Sequence, residues 1–330
     1  MGSASRGPRA ILLLTLVLGF LIAPLTAEAQ RPAKVWRIGL FHVGLDHVPP
    51  SLDGLREGLK ALGYEDGKNI RLDWRNLLDK DAAQVTAREW LRDGVDLIVA
   101  FEPQTVRAAK AATSQVPIVF LHVDDPVTDG FVASFARPGG NLTGFAGRPT
   151  LRDKQLEIFK ELVPGLRRLL VLRDPTDPAT VRMSAVVQEA AATLKLHLVE
   201  REVTTAADIE RVFGALKTSE VDGVFLISPR LETNYLSLIL RLASERHLPL
   251  PGPLKLWVTR GALFYYGVNY PALGGAAAQY VDKILKGAKP ADLPVEYPRR
   301  FELILNGNTA RALWLTIPPS LLLQADEVMR

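Results

Sequence analysis

The chain contains no cysteine in 330 residues. This excludes disulfides, thiolate metal sites and a thiol nucleophile, so the fold is held by its core alone. No GxGxxG follows a strand and no GxxxxGK[ST] occurs, which removes the usual cradles for dinucleotides and triphosphates. "RPGGNLTG" has glycines but neither the P-loop lysine nor a strand-to-helix context. No GxSxG elbow is present, so the turn that exposes a hydrolase serine is missing. There is no HExxH and no histidine pair at ligand spacing on a helix. The formal net charge is only +4, and Lys and Arg are scattered without the basic stripe that nucleic-acid binding requires.

Long apolar runs are also lacking, with one exception at the start. Arg6 and Arg9 precede "ILLLTLVLGFLIAPL" (Ile11 to Leu25), and Ala27 and Ala29 then place small residues where a signal peptidase reads. The run falls short of the roughly 20 apolar residues of a spanning helix, and Pro24 interrupts its end. The pattern predicts a signal peptide over residues 1–29, cleaved after Ala29, and a mature chain exported to the periplasm. No Cys follows the run, which excludes a lipid-bearing N-terminal Cys.

The mature length, about 300 residues, suggests two domains of ordinary globular composition. From Trp36 a rhythm of short apolar strand, turn and amphipathic helix repeats. "WRIGLFHV", "NIRLDW", "VDLIVAF" and "VPIVFLHV" read as strands, with helices through "SLDGLREGLKALGY", "AAQVTAREWLRDG" and "TVRAAKAATS" between them. After a Pro/Gly-rich stretch, "DPVTDGFVASFARPGGNLTGF", the rhythm restarts. "RLLVLRD", "LHLVEREV", "VDGVFLIS", a short "LPLPGP", "GALFYYGVNY" and "PRRFELILN" are the later strands, and "NTARALWL" is a last helix before the tail. Apolar strands alternating with helices predict an α/β fold of parallel βαβ units, with helices on both sheet faces.

In open α/β sheets ligands sit beyond the carboxyl ends of the strands. Those ends carry "FHVGLDH", "FEPQT", "HVDDP", "RDPTDP" and "ISPRLETN", all polar where the strands before them are apolar. Some of these residues serve as helix caps, Thr105 and Thr180 among the candidates. His42, His47, His122, Asp124 and Asp125 lie near first-lobe strand ends; polar lining of a cleft is favoured there over a metal site. Asn141-Leu142-Thr143 fits a glycosylation acceptor by pattern alone.

Three passages carry a resemblance: "VPIVFLHVDDPVTDGFVASFARPGGNLTGF", "KQLEIFKELVPGLRRLLVL" and "YVDKILKGAKPADLPVEYPRRFELILNGNTARALWLTIPPSLLLQADEVM". "LGYEDGKNIRLDWR" adds a weaker fourth. The chain resembles the ABC-transporter substrate-binding proteins of the tryptophan-uptake type, over essentially the whole mature length. The resemblance implies two Rossmann-like lobes in the type I periplasmic binding fold, joined by a multi-crossing hinge. It implies an N-terminal lobe over 30–145, a C-terminal lobe over 146–266, a return to the first lobe over 267–298, and a final crossing and tail over 299–330. "GGNLTGF" is expected as the first crossing, with "GVNY" and "EYPRRFELI" as the later two. Two positions depart from the family. The small Gly-containing turn that would hold a ligand carboxylate is here "FEPQT", and an Asn-Pro pair is replaced by Asp174-Pro175; both changes add negative charge.

The expected function is solute binding for an ABC importer, with no catalytic residue, metal or cofactor. The expected partners are a small-molecule ligand and an inner-membrane permease, not nucleic acid, and a monomer is expected. The expected ligand-binding residues are Glu102, Gln104, Thr105, Asp124, Asp125, Asp174, Thr176, Ser228, Arg230 and Tyr266. The rival readings are a periplasmic metal-assisted enzyme using His42, His122 and Asp124, and a sensory module for a membrane receptor.

Overall fold

The computed structural model describes residues 1–2, 34–43, 48–77, 80–147, 151–217 and 219–330. From residue 3 onward the expected signal peptide, including its cleavage point after Ala29, lies outside the described residues, as does His47. The chain divides into a unit of residues 1–35 and a unit of residues 36–330, and the second unit carries the fold. No helix among the described residues is long and apolar enough to cross a membrane.

The first lobe is built from β1 (Trp36–Val43), α1 (Pro50–Ala61), β2 (Ile70–Leu77), α2 (Lys80–Arg92), β3 (Leu97–Ala100), α3 (Pro103–Ala112), β4 (Ile118–Val123) and β5 (Leu142–Ala146). Its strands form one parallel sheet in the order β2-β1-β3-β4-β5. Alternate residues of each strand feed two cores. Ile38 and Leu40 of β1 and Leu97 and Val99 of β3 pack on one face, while Phe41, Ile98 and Ala100 pack on the other. This period of two, buried on both sides, explains why these strands read as unbroken apolar runs.

The second lobe continues with α4 (Leu151–Leu162), β6 (Arg168–Arg173), α5 (Pro178–Thr193), β7 (His197–Glu202), α6 (Ala206–Ala215), β8 (Gly223–Leu226), α7 (Pro229–Asn234), α8 (Leu236–Glu245), α9 (Lys255–Thr259) and β9 (Phe264–Val268). The order β7-β6-β8 is again parallel. At Asn269 the chain leaves β9 for α10 (Tyr270–Leu285), which Asn269 caps by accepting from the Ala272 amide at 2.9 Å. α10 packs Leu273, Ala277, Val281 and Ile284 into the first lobe's core against Leu52, Leu55 and Leu59 of α1. The approach is backbone to backbone: a Cβ on Gly54 would stand 2.0 Å from the Pro271 carbonyl oxygen, and one on Gly274 2.0 Å from that of Ser51. After α10 the chain runs along β5, where Glu296 N–H donates to Gly144 O, and then enters β10 (Phe301–Asn306). β10 pairs antiparallel with β9, followed by α11 (Gly307–Ala312), α12 (Pro319–Gln324) and β11 (Glu327–Met329), the last parallel to β10. Leu303, Leu305, Ala310 and Leu321 join the second lobe's core.

Two sequence expectations are corrected here. "GGNLTGF" is not a crossing, because Leu142–Ala146 pairs with β4 as the first sheet's edge strand. The chain leaves that sheet only after Ala146. "LPLPGP" is not a strand. It lies between β8 and β9, taking bonds from Val224 N–H at Pro249 O and from Leu263 N–H at Leu250 O, and giving one from Gly252 N–H to Phe264 O. Pro249, Pro251 and Pro253 have no amide to donate, so no regular ladder forms. The glycosylation pattern also has a structural use: Asn141 Nδ2 donates to Val116 O at 2.7 Å, and Thr143 Oγ1 donates to Leu293 O at 2.7 Å.

Candidate ligand-binding cleft

Both parallel sheets reverse their strand order beside the first strand of the lobe, between β1 and β3 and between β6 and β8. At such a switch point the connecting helices diverge to opposite faces and leave a crevice beyond the carboxyl ends. His42 is the penultimate residue of β1 and Glu102 follows β3; Asp174 and Thr176 follow β6, and Ser228 and Arg230 follow β8. These residues therefore flank the two crevices.

In the second lobe they form one network. Asp174 is 1% exposed, and its Oδ1 accepts from Thr176 N at 2.8 Å and from Thr176 Oγ1 at 2.7 Å. Arg230 Nη1 donates to Thr176 Oγ1 at 2.9 Å and lies 3.4 Å from Asp174 Oδ2. Asp177, which sequence reasoning missed although "RDPTDP" contains it, sits at the centre. Its Oδ2 accepts from the fully buried Ser228 hydroxyl at 2.8 Å and from Arg230 N–H at 3.2 Å. Asp177→Ala is expected to lower stability by about 1–3 kcal/mol, because buried donors lose their acceptor; urea unfolding at neutral pH measures it.

In the first lobe, Glu102 is the N-cap of α3, and its Oε1 is bonded to His42 Nδ1. Thr105 is fully buried, donates its hydroxyl to Glu102 O at 2.8 Å and accepts from Glu102 N–H at 3.1 Å. Its hydroxyl is thus engaged in closing the first turn of α3. Gln104 is exposed. Asp125 Oδ1 accepts from Thr128 N–H at 3.0 Å and shapes the loop after β4.

A cavity of about 300 Å³ lies where the lobes meet, with Asp124 on its wall. The first lobe contributes His122, Phe145 and, from α10, Tyr270; the second contributes Arg152, Gln155, Glu232 and Tyr265. Tyr266 is absent from this lining and stacks on Phe301, 6.2 Å between ring centres. Alternation along β9 turns its neighbour Tyr265 to the cavity instead. Arg152 Nη2 pairs with Glu232 Oε1 at 2.9 Å, with the side chains 16% and 13% exposed, and Arg152 Nη1 donates to Gln155 Oε1 at 3.1 Å. Gln155 Nε2 continues to Tyr266 O at 2.7 Å. This chain ties α4, α7 and β9 together at the cavity wall. Burial raises the Glu232 carboxyl above its usual range; Arg152 opposes that shift, and the charges of Asp177 and Asp124 add to it.

His122 has a left-handed backbone, φ 57°, at a register shift between β4 and β5. Such strain in a non-glycine residue persists only where the surroundings enforce it. Its ring stacks on Tyr270, 4.8 Å between centres and 9° from parallel. Burial, with a smaller contribution from His42, lowers its pKa to about 3, so the ring is neutral at ordinary pH. Among the described residues, no group of three or more His, Cys, Asp or Glu side chains is arranged to hold a metal ion. A larger hollow of about 530 Å³, against Trp257, Arg260 and Thr309, lies on α8, α9 and α11 of the second lobe. It includes none of the strand-end residues above.

The arrangement has known counterparts. A tyrosine-binding protein of Clostridioides difficile is 30% identical over 269 residues, covering 80% of this chain and 77% of that protein. A conserved domain protein from Vibrio cholerae superposes with a TM-score of 0.76 at 28% identity, over 89% of this chain and 100% of that one. An ABC domain from Streptococcus pneumonia in complex with L-Trp superposes with a TM-score of 0.77 at 24% identity, over 90% of this chain and 100% of that one. The fold is thus the two-lobed type I periplasmic binding fold. The family model described as "ABC transporter substrate binding protein" matches residues 41–329, and the chain belongs to that family.

Proposed function

We propose that the protein is an exported, monomeric solute-binding component of an ABC importer. It closes its two lobes on a small organic molecule in the periplasm and delivers it to an inner-membrane permease. One observation carries this reading: the cavity at the strand ends is walled by both lobes, with His122 and Tyr270 on one side and Arg152, Glu232 and Tyr265 on the other. A ligand that touches both walls favours the closed state by its differential affinity. The cavity's size, about 300 Å³, sits at the small end of ligand sites, which span roughly 300–1,000 Å³. The tyrosine-binding relative and the L-Trp complex support a ligand of that size.

The test is small-angle scattering with thermal unfolding on protein stripped by unfolding and refolding. A true ligand at a hundredfold its Kd is expected to stabilise by about 2.7 kcal/mol and to reduce the radius of gyration. Stabilisation without compaction would overturn closure as the mechanism.

A further inference from the structure

The first lobe's switch point holds a row of groups of which only His122 lines the cavity. β1, β3 and β4 are neighbours in the sheet, with Phe41 level with Ala100 and Ala100 level with Phe120. His42, Glu102 and His122 therefore stand side by side at the carboxyl edge. Each has an enclosed atom with no hydrogen-bond partner: His42 Nε2, Glu102 Oε2 and His122 Nε2. His42 is 1% exposed and stacked on Phe101 at 3.9 Å, with Nδ1 bonded to Glu102 Oε1. A neutral histidine that donates Nδ1–H to a carboxylate leaves its Nε2 to accept, and a carboxylate oxygen accepts only.

Among the described residues, no cation supplies Glu102 Oε2 with a donor. Arg152 is committed to Glu232 and Gln155, and Arg230 to Thr176 and Asp174. An enclosed carboxylate oxygen without a donor is unfavourable, and a donor brought in by a ligand offsets that. An anion is disfavoured for two reasons: Pro103 removes an amide from the first turn of α3, and Glu102 itself repels negative charge.

We propose that this row is an ammonium subsite. The ligand presents a protonated amine to Glu102 Oε2, while His42 holds the carboxylate in place through Nδ1 and offers Nε2 as a second acceptor. The subsite rests on the solute-binding reading above.

The experiment titrates the stripped protein calorimetrically with molecules sharing one ring: tryptamine, tryptophan, tryptophol and indole-3-propionate. The phenol series of tyramine, tyrosine, tyrosol and 3-(4-hydroxyphenyl)propionate follows, together with aliphatic diamines. The amine-bearing members are expected to bind at least about tenfold tighter than the alcohol or the carboxylate of the same ring, the scale of a charge-assisted hydrogen bond. Tryptophan matching tryptamine would place the ammonium on an amino acid; tryptamine ahead of tryptophan would place it on a simple amine. Glu102→Gln, its fold checked by circular dichroism, is expected to remove that preference. The alcohol or the carboxylate binding as tightly as the amine in the wild-type protein would overturn the subsite and leave solute binding intact. Absence of binding by any class would overturn solute binding and the subsite with it.

Discussion

Gly274→Ala is expected to destabilise the protein by about 3 kcal/mol, because two helix backbones would have to separate to admit one methyl group. The new Cβ would stand 2.0 Å from Ser51 O and 2.6 Å from Leu55 N, both backbone atoms with no side chain to swing aside. α1 and α10 come from opposite ends of the first lobe's sequence, so the same substitution loosens the attachment of the returning helix. The next residue is the control. A Cβ on Gly275 would meet only Gly54 O at 3.9 Å, an ordinary contact. Gly275→Ala is therefore expected to gain up to about 1 kcal/mol from helix propensity. Thermal unfolding by circular dichroism reads both, with a fall of roughly 5–10 °C expected for the first. Equal effects at the two positions would refute the close-packing account.

Arg152→Met is the second large effect, a loss of about 3–5 kcal/mol, because it leaves the buried Glu232 without its counter-charge. Asp177 and Asp124 both bear on Glu232, so the uncompensated carboxylate also faces like charge. Replacing both partners, Arg152→Met with Glu232→Leu, is expected to recover most of the loss, since neither a buried charge nor an unbonded carboxylate remains. The pH dependence has a definite sign. Burial raises the folded-state pKa of Glu232 above the ordinary carboxyl value of 4.5. The folded protein therefore holds its proton longer than the unfolded chain, and this group's contribution is fully present below pH 4.5 and lost as pH rises through the folded value. Removing Arg152 removes the influence that opposes the shift. The single variant should therefore be penalised more at pH 7 than at pH 5, and the double variant should lose that difference. Denaturant titrations at the two pH values decide it.

The strand-end positions were legible because they follow from local pattern. Unbroken apolar runs such as "VDLIVAF" require helices on both faces, and the polar residues after them must then lie at one edge of the sheet. That reasoning placed Glu102, Asp174, Thr176, Ser228 and Arg230 at strand ends; the strand order sets those ends beside the switch points. It could not assign their bonds. Thr105 and Glu102 are three residues apart and lock to each other, whereas Asp174 and Arg230 meet across 56 positions of sequence. Arg152 and Glu232, 80 residues apart, carry no local signal at all.

The amino-acid sequence alone determined the layering, the parallel sense of β1 to β8 and the edge where polar strand-end residues gather, because periodicity and burial on two faces are properties of each segment. It did not determine the antiparallel pairing of β9 with β10. Tertiary structure decided which groups at that edge are spent and which are open. "GGNLTGF" became a strand because β4 and the distant Glu296 offer it partners, and no property within the segment specifies them. Tyr265 rather than Tyr266 lines the cavity because the side-chain period of a strand is two, so the strand's register decides which of two adjacent tyrosines faces inward. His42 and Glu102 meet because β1 and β3 are neighbours in the sheet, an ordering that long-range pairing sets.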